Sequence, residues 1–136
     1  MKLMARKLMI VDDHAISRHV VRQLAATPLD TVLEFASADE AVKAVGTFKP
    51  DCVMMGVSRP VPGAFKAIRT IRETHPQVRV VAVSSYHESG MRQAASDAGA
   101  AGYITMENLS ELFLLAAPER LTLNPAPHPK ARRKLK

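Results

Sequence analysis

Apolar residues fall in short runs that alternate with stretches of helical spacing. Lys7-Leu-Met-Ile-Val11 ends in Asp12 and Asp13, which predicts a buried strand delivering two carboxylates at its C-terminal end. From Ala15 to Ala26, Ile16, Val20 and Leu24 recur at helical spacing, and Pro28 closes the segment. Thr31 to Ala36 reads as a second strand. Ser37-Ala-Asp-Glu40 has capping-box form, with Ser37 as N-cap and Glu40 reaching back, and opens a helix expected to end at Gly46. Asp51 to Met55 is a third apolar run, and Pro60, Pro62 and Gly63 mark the loop after it. Phe65, Ile68 and Ile71 or Arg72 share one face of the next helix, which stops before Pro76. Val78 to Val83, the most β-branched run, ends in Ser84 and Ser85. A helix from about Glu88 turns Met91, Ala94, Ala95 and Ala98 inward and ends at Gly99. Gly102 to Thr105 is a fifth strand, and Asn108 and Glu111 have capping-box spacing for a last helix ended by Pro118.

Five strands alternating with five helices predict a doubly wound α/β domain, a parallel sheet with helices on both faces. In such sheets chemistry sits outside the C-terminal strand ends. Asp12, Asp13, Gly56, Ser84 and the residues around Met106 all fall there.

Charge changes this picture little. The net charge is +6, but Lys130, Arg132, Arg133, Lys134 and Lys136 supply five positives with no acid among them. Elsewhere 14 Lys and Arg face 13 Asp and Glu, so the body is near neutral. The basic character belongs to a Pro-rich tail over residues 124–136, after a domain over 1–123, and is not read as a nucleic-acid surface. The single cysteine, Cys52, allows no intrachain disulfide and fits a reducing compartment. Asp12 and Asp13 cut the N-terminal apolar run too short for a signal peptide. No apolar stretch approaches the roughly 20 residues a bilayer requires. These features together predict a cytoplasmic protein.

The ordered set of motifs resembles the receiver domain of two-component response regulators over roughly Arg6 to Ala117. Asp12 and Asp13 match the family's acidic pair. Lys49-Pro50-Asp51 through Gly56 to Pro60 matches the third strand and its loop. Val80 to Ser84 matches the fourth strand with its signalling hydroxyl. Ala98 through Tyr103 to Met106 matches the fifth, and is most similar to the subfamily carrying a C-terminal helix-turn-helix. The resemblance implies a flavodoxin-like sheet of order 2-1-3-4-5. It also implies transfer of a phosphoryl group to a carboxylate, assisted by Mg²⁺ on hard oxygen ligands and by a lysine and a hydroxyl.

This chain departs from the pattern at two places. The acceptor aspartate aligns with Gly56 and the lysine with Met106. Strand alternation points Met55 and Val57 to the other side, so neither replaces the acceptor. What remains is Asp12, Asp13 and the Ser58 carbonyl, which implies no required cofactor and weak Mg²⁺ binding at best. The expected role is therefore a non-phosphorylatable receiver and not an enzyme, working through a histidine kinase, another regulator or a homodimer. It would use DNA only through a domain outside this chain, and no membrane. The face built from the fourth helix, Tyr103 (the switch-aromatic equivalent) and the last helix is where association is expected. Two other readings compete. One is a conventional receiver whose acceptor has been altered at position 56, against which Met106 argues. The other is an unrelated doubly wound enzyme, for which the sequence offers no nucleophile paired with a base and no Gly-rich phosphate loop.

Plainer roles fit the same residues. Asp12 and Asp13 suit a strand end or helix cap, Ser84 a buried loop amide and Tyr103 packing. Cys52 suits an inert core, and His14 a helix start. With the lysine gone, the two acids should share a proton more readily, raising at least one pKa. The competing expectation is that Arg59 pairs with them; the plainer one leaves Arg59 in solvent.

Overall fold

The computed structural model describes residues 5–57, 62–84 and 89–105. Its elements run β1 (Lys7–Val11), α1 (Ala15–Ala25), β2 (Thr31–Phe35), α2 (Ala38–Phe48), β3 (Cys52–Gly56), α3 (Pro62–Thr74), β4 (Arg79–Ser84), α4 (Met91–Ala98) and β5 (Gly102–Thr105). The strands pair in parallel in the order β2-β1-β3-β4-β5, the flavodoxin-like sheet expected. The last helix, the tail and its boundary at 123, and Ser58, Arg59 and Met106 lie outside the described residues.

The apolar runs become the central strands because both their faces are covered. Leu8, Ile10, Cys52, Met54, Val81, Val83 and Ile104 pack with Val21 and Ala25 of α1. Met9, Val53, Met55, Val57, Val80 and Ala82 face α2, α3 and α4 on the other side, against Ala41, Val45, Ile68, Ile71 and Ala95. Burying each such aliphatic side chain contributes about 1.5–3 kcal/mol. Met55 and Val57 thus share one side of the sheet, away from that of Cys52 and Met54, as strand alternation requires.

Local details correct the sequence reading in three places. The Ile16–Val20–Leu24 stripe is not the buried face of α1: Ile16 is 80% and Leu24 44% exposed, while Val21 and Ala25 are buried. Two apolar stripes overlap on this helix, and polar contacts decide between them. Arg18 and Arg22 both reach Glu34 on β2, and that rotation turns the smaller Val21–Ala25 stripe to the sheet. Helix α2 runs through Gly46 to Phe48. Gly46 lies inside the helix, where a Cβ would meet the His75 ring at an ordinary contact distance of 3.7 Å. The stop comes from Pro50, which disfavours helical backbone at Lys49. Lys49 takes φ 56° and its amide donates to the Val45 carbonyl. At the start of α2 the Ser37 hydroxyl accepts from the Glu40 amide, and among the described residues the Glu40 carboxylate makes no return hydrogen bond.

Helix α4 is described from Met91, three residues later than expected, with Gly90 at φ 86° as its N-cap. It turns Met91, Ala95 and Ala98 inward. On α3 Ala64, Ala67, Ile68 and Ile71 are buried and Phe65 half-buried, while Arg72 stays outside.

Candidate functional site

The chain leaves β1 for β2 on one side and returns to β3 on the other, so a crevice opens between the C-terminal ends of β1 and β3. It is a concavity of about 290 Å³ lined by Asp12 and Asp13 after β1, Ser37 and Asp39 at the start of α2, Gly56 at the end of β3 and Gly63 on α3. The structure therefore gathers Asp12, Asp13 and Gly56. Gly56 pairs in register with Val83, which places buried Ser84 one residue further along the neighbouring strand. Tyr103 stands apart on β5, opposite Ala82.

Asp12 is held firmly. Its amide donates to the Phe35 carbonyl at 3.0 Å, its Oδ1 accepts from the His14 amide at 2.8 Å, and Arg18 donates to its carbonyl at 2.7 Å. Its side chain is only 10% exposed. Asp13 is open, and its Oδ1 lies 3.0 Å from His14 Nδ1. The decisive contact concerns Gly56. A Cβ at that position would stand 2.7 Å from Asp12 Oδ2 and 3.1 Å from the Val11 carbonyl. The Asp12 carboxylate has folded into the space that a side chain at position 56 would need.

Burial pushes the Asp12 carboxyl above its ordinary pKa, and the charge of Asp13 adds to this. The His14 amide and the charges of His14 and Arg18 oppose the shift without cancelling it. The raised value agrees with the expectation of a proton held more readily by one of the two acids. The expectation for Arg59 lies outside the described residues. The sign follows from linkage: ionised Asp12 costs stability, so the penalty is absent below the ordinary value of 3.8 and grows as pH rises through the higher folded value. Asp12→Asn keeps an acceptor for the His14 amide and should raise the melting temperature at pH 7. Melting curves of the two proteins should converge below about pH 4.

Two contributors were not singled out from the sequence. Arg18 secures the Asp12 carbonyl, and a cation in the second turn after an acidic pair was a readable signal. Asp39 adds a third carboxylate to the rim, from a position that looked only like helix capping. His14 does start the helix as expected, but its ring also engages Asp13.

Tyr103 is buried, its hydroxyl has no hydrogen-bond partner among the described residues, and the Arg92 guanidinium lies 5.0 Å over its ring. An unsatisfied buried hydroxyl costs about 1–3 kcal/mol. Tyr103→Phe should therefore leave stability unchanged or raise it by up to about 1 kcal/mol in urea unfolding. Cys52 is fully buried, and burial pushes its thiol up to about 12, so it is an inert core residue at neutral pH.

A parallel five-stranded sheet of order 2-1-3-4-5 with paired carboxylates at its β1–β3 crevice is the arrangement that the resemblance to receiver domains implied. Residues 8–114 match the response regulator receiver domain, and the chain belongs to that family. It is 36% identical over 101 residues to the response regulator GacA of Pseudomonas syringae pv. syringae, covering 73% of this chain and 47% of that protein. The chemotaxis protein CheY of Halobacterium salinarum is 28% identical over 102 residues, 75% of this chain and 85% of CheY. A two-component response regulator of the LuxR family from Aurantimonas superposes with a TM-score of 0.75 at 30% identity, covering 98% of this chain and all of that one. The chain spans about half the length of GacA. Among the described residues no helix is long and apolar enough to cross a membrane.

Proposed function

We propose that this receiver takes no phosphoryl group at the usual site and transmits signals through protein contacts. The observation that carries this is the placement of Asp12 Oδ2 over Gly56, 2.7 Å from where an acceptor side chain would begin. Without a carboxylate at position 56 there is no nucleophile in line with an incoming phosphorus. The space left over is filled by an acid that in the family pattern serves a metal. Asp12 and Asp13 still offer Mg²⁺ two hard-oxygen ligands, which suits a weakly held, largely hydrated ion and no required cofactor. Ser58 would add its carbonyl. Cytoplasmic residence fits the lone buried cysteine.

Partners are proposed on the same footing: a histidine kinase, another regulator or a second copy, meeting the face of α4 and Tyr103. DNA is reached only through a domain outside this chain, as the half-length match to GacA suggests. Beryllofluoride tests the reading, because it mimics a phosphoryl group by coordinating an acceptor carboxylate. Titrated with Mg²⁺ present and followed by ¹⁹F NMR, the protein should give no bound signal. A bound resonance that survives Asp13→Asn and disappears in Asp12→Asn would instead make Asp12 the acceptor and end the proposal.

A further inference from the structure

Among the described residues, Asp12, Asp13 and His14 bring three metal-ligating atoms within 4.8 Å of one another. His14 Nδ1 lies 3.0 Å from Asp13 Oδ1 and 3.7 Å from Asp12 Oδ1. A divalent ion held at about 2.1 Å by each of its ligands keeps them about 3.0 Å apart in octahedral geometry and about 3.4 Å apart in tetrahedral geometry. The three atoms thus stand near the corners of one coordination face. The backbone fixes this convergence. Phe35 and Arg18 hold the Asp12 amide and carbonyl, and Asp12 Oδ1 holds the His14 amide. His14 is the N-cap of α1, yet its side chain makes no capping hydrogen bond, and its ring lies against the acids instead.

A second observation points to a cation. The Asp12 side chain is only 10% exposed, but among the described residues its Oδ2 has neither a hydrogen bond nor an ion pair. That oxygen faces the crevice beside Gly56. Arg18 does not meet its charge, since it donates to the Asp12 carbonyl and pairs with Glu34. A buried carboxylate oxygen without a partner is costly, and a bound cation removes the cost. The ligand types then select the ion. Mg²⁺ prefers oxygen ligands in near-ideal octahedral geometry and gives up water reluctantly. With glycine at position 56, the oxygen that would complete an all-oxygen set on the β3 side is missing. An imidazole nitrogen contributes little to Mg²⁺ and much to borderline ions such as Zn²⁺. Two carboxylates and a neutral imidazole balance a doubly charged ion and leave its remaining positions to water.

We propose that Asp12, Asp13 and His14 form a binding site for a borderline divalent transition ion, represented by Zn²⁺, in preference to Mg²⁺. The site rests on the proposed function only in that position 56 supplies no ligand. The full chain is titrated calorimetrically with Zn²⁺, with and without a large excess of Mg²⁺, beside His14→Gln, Asp13→Asn and His19→Gln. The expected result is one saturable Zn²⁺ site that Mg²⁺ does not displace. His14→Gln should weaken Zn²⁺ about tenfold or more, equivalent to about 1.4 kcal/mol or more, and leave the weak Mg²⁺ affinity unchanged. Asp13→Asn should weaken both ions, and His19→Gln, exposed further along α1, neither. Co²⁺ added to the native protein should shift the ring resonances of one histidine, the one missing from the His14→Gln spectrum, which reads coordination directly even if a variant is destabilised. Equal Zn²⁺ affinity in native protein and His14→Gln, full displacement by Mg²⁺, or Co²⁺ shifts on a different histidine would overturn the site. Absence of Zn²⁺ binding together with an unchanged mass after phosphodonor treatment would sink this inference and leave the proposed function standing. A phosphoryl gain in a protein that binds Zn²⁺ through His14 would do the reverse.

Discussion

Asp30→Ala is expected to destabilise the domain by about 3–5 kcal/mol in denaturant unfolding, a large fraction of a typical domain's stability. The Asp30 side chain is fully buried and that of Arg6 is 9% exposed. The carboxylate accepts from the Arg6 amide at 3.0 Å, from Arg6 Nε at 3.1 Å and Nη2 at 2.7 Å, and from the Thr27 amide at 2.7 Å. Truncation takes the neutralising charge from a buried guanidinium and the acceptor from two amides at once. Burial pushes the Asp30 carboxyl up, but the hydrogen bonds from Arg6 and Thr27 outweigh it and hold the pKa below its ordinary 3.8. A lowered carboxyl pKa contributes stability that is complete above the unfolded value and lost as pH falls through the folded one. The gap between native protein and variant should therefore be constant from pH 5 to 7 and narrow below about pH 4. A loss under 1 kcal/mol at pH 7 would show that the pair contributes little.

Gly56→Asp should change the acidic crevice more than any other single substitution. The new Cβ forces Asp12 Oδ2 out of the space it occupies and presses on the Val11 carbonyl. Three carboxylates then crowd one site, so without metal the variant should melt below the native protein. Mg²⁺ gains a third hard ligand, and its dissociation constant should fall by roughly tenfold or more. Added Mg²⁺ should then raise the variant's melting temperature far more than the native protein's. Gly56→Ala separates the two effects, since it brings the steric cost without the ligand. Isothermal titration with Mg²⁺ checks the claim, and equal affinity in Gly56→Asp and native protein would mean that position 56 does not face the acidic pair.

The strands were legible in the sequence because buried parallel strands are written as unbroken apolar runs. Val80–Val83 and Leu8–Val11 could be little else once Ser84 and Asp12 closed them. The rotation of α1 was not legible: Ile16–Leu24 and Val21–Ala25 are both apolar, and only the tertiary contacts of Arg18 and Arg22 with Glu34 distinguish them. The end of α2 was misplaced because Gly46 resembles a stop signal, while the helix runs on to Phe48 and ends before Pro50. At the site, the types and order of Asp12, Asp13 and Gly56 were readable. The inward fold of Asp12 was not, because a side chain's response to a neighbour's missing Cβ depends on the register of β1 against β3.

Intact mass after incubation with a small phosphodonor and Mg²⁺ tests the central claim most directly. The account predicts a native protein whose mass is unchanged under conditions that phosphorylate a receiver with an intact acceptor aspartate. A gain of one phosphoryl group mapped to Asp12 or Asp13 would contradict it.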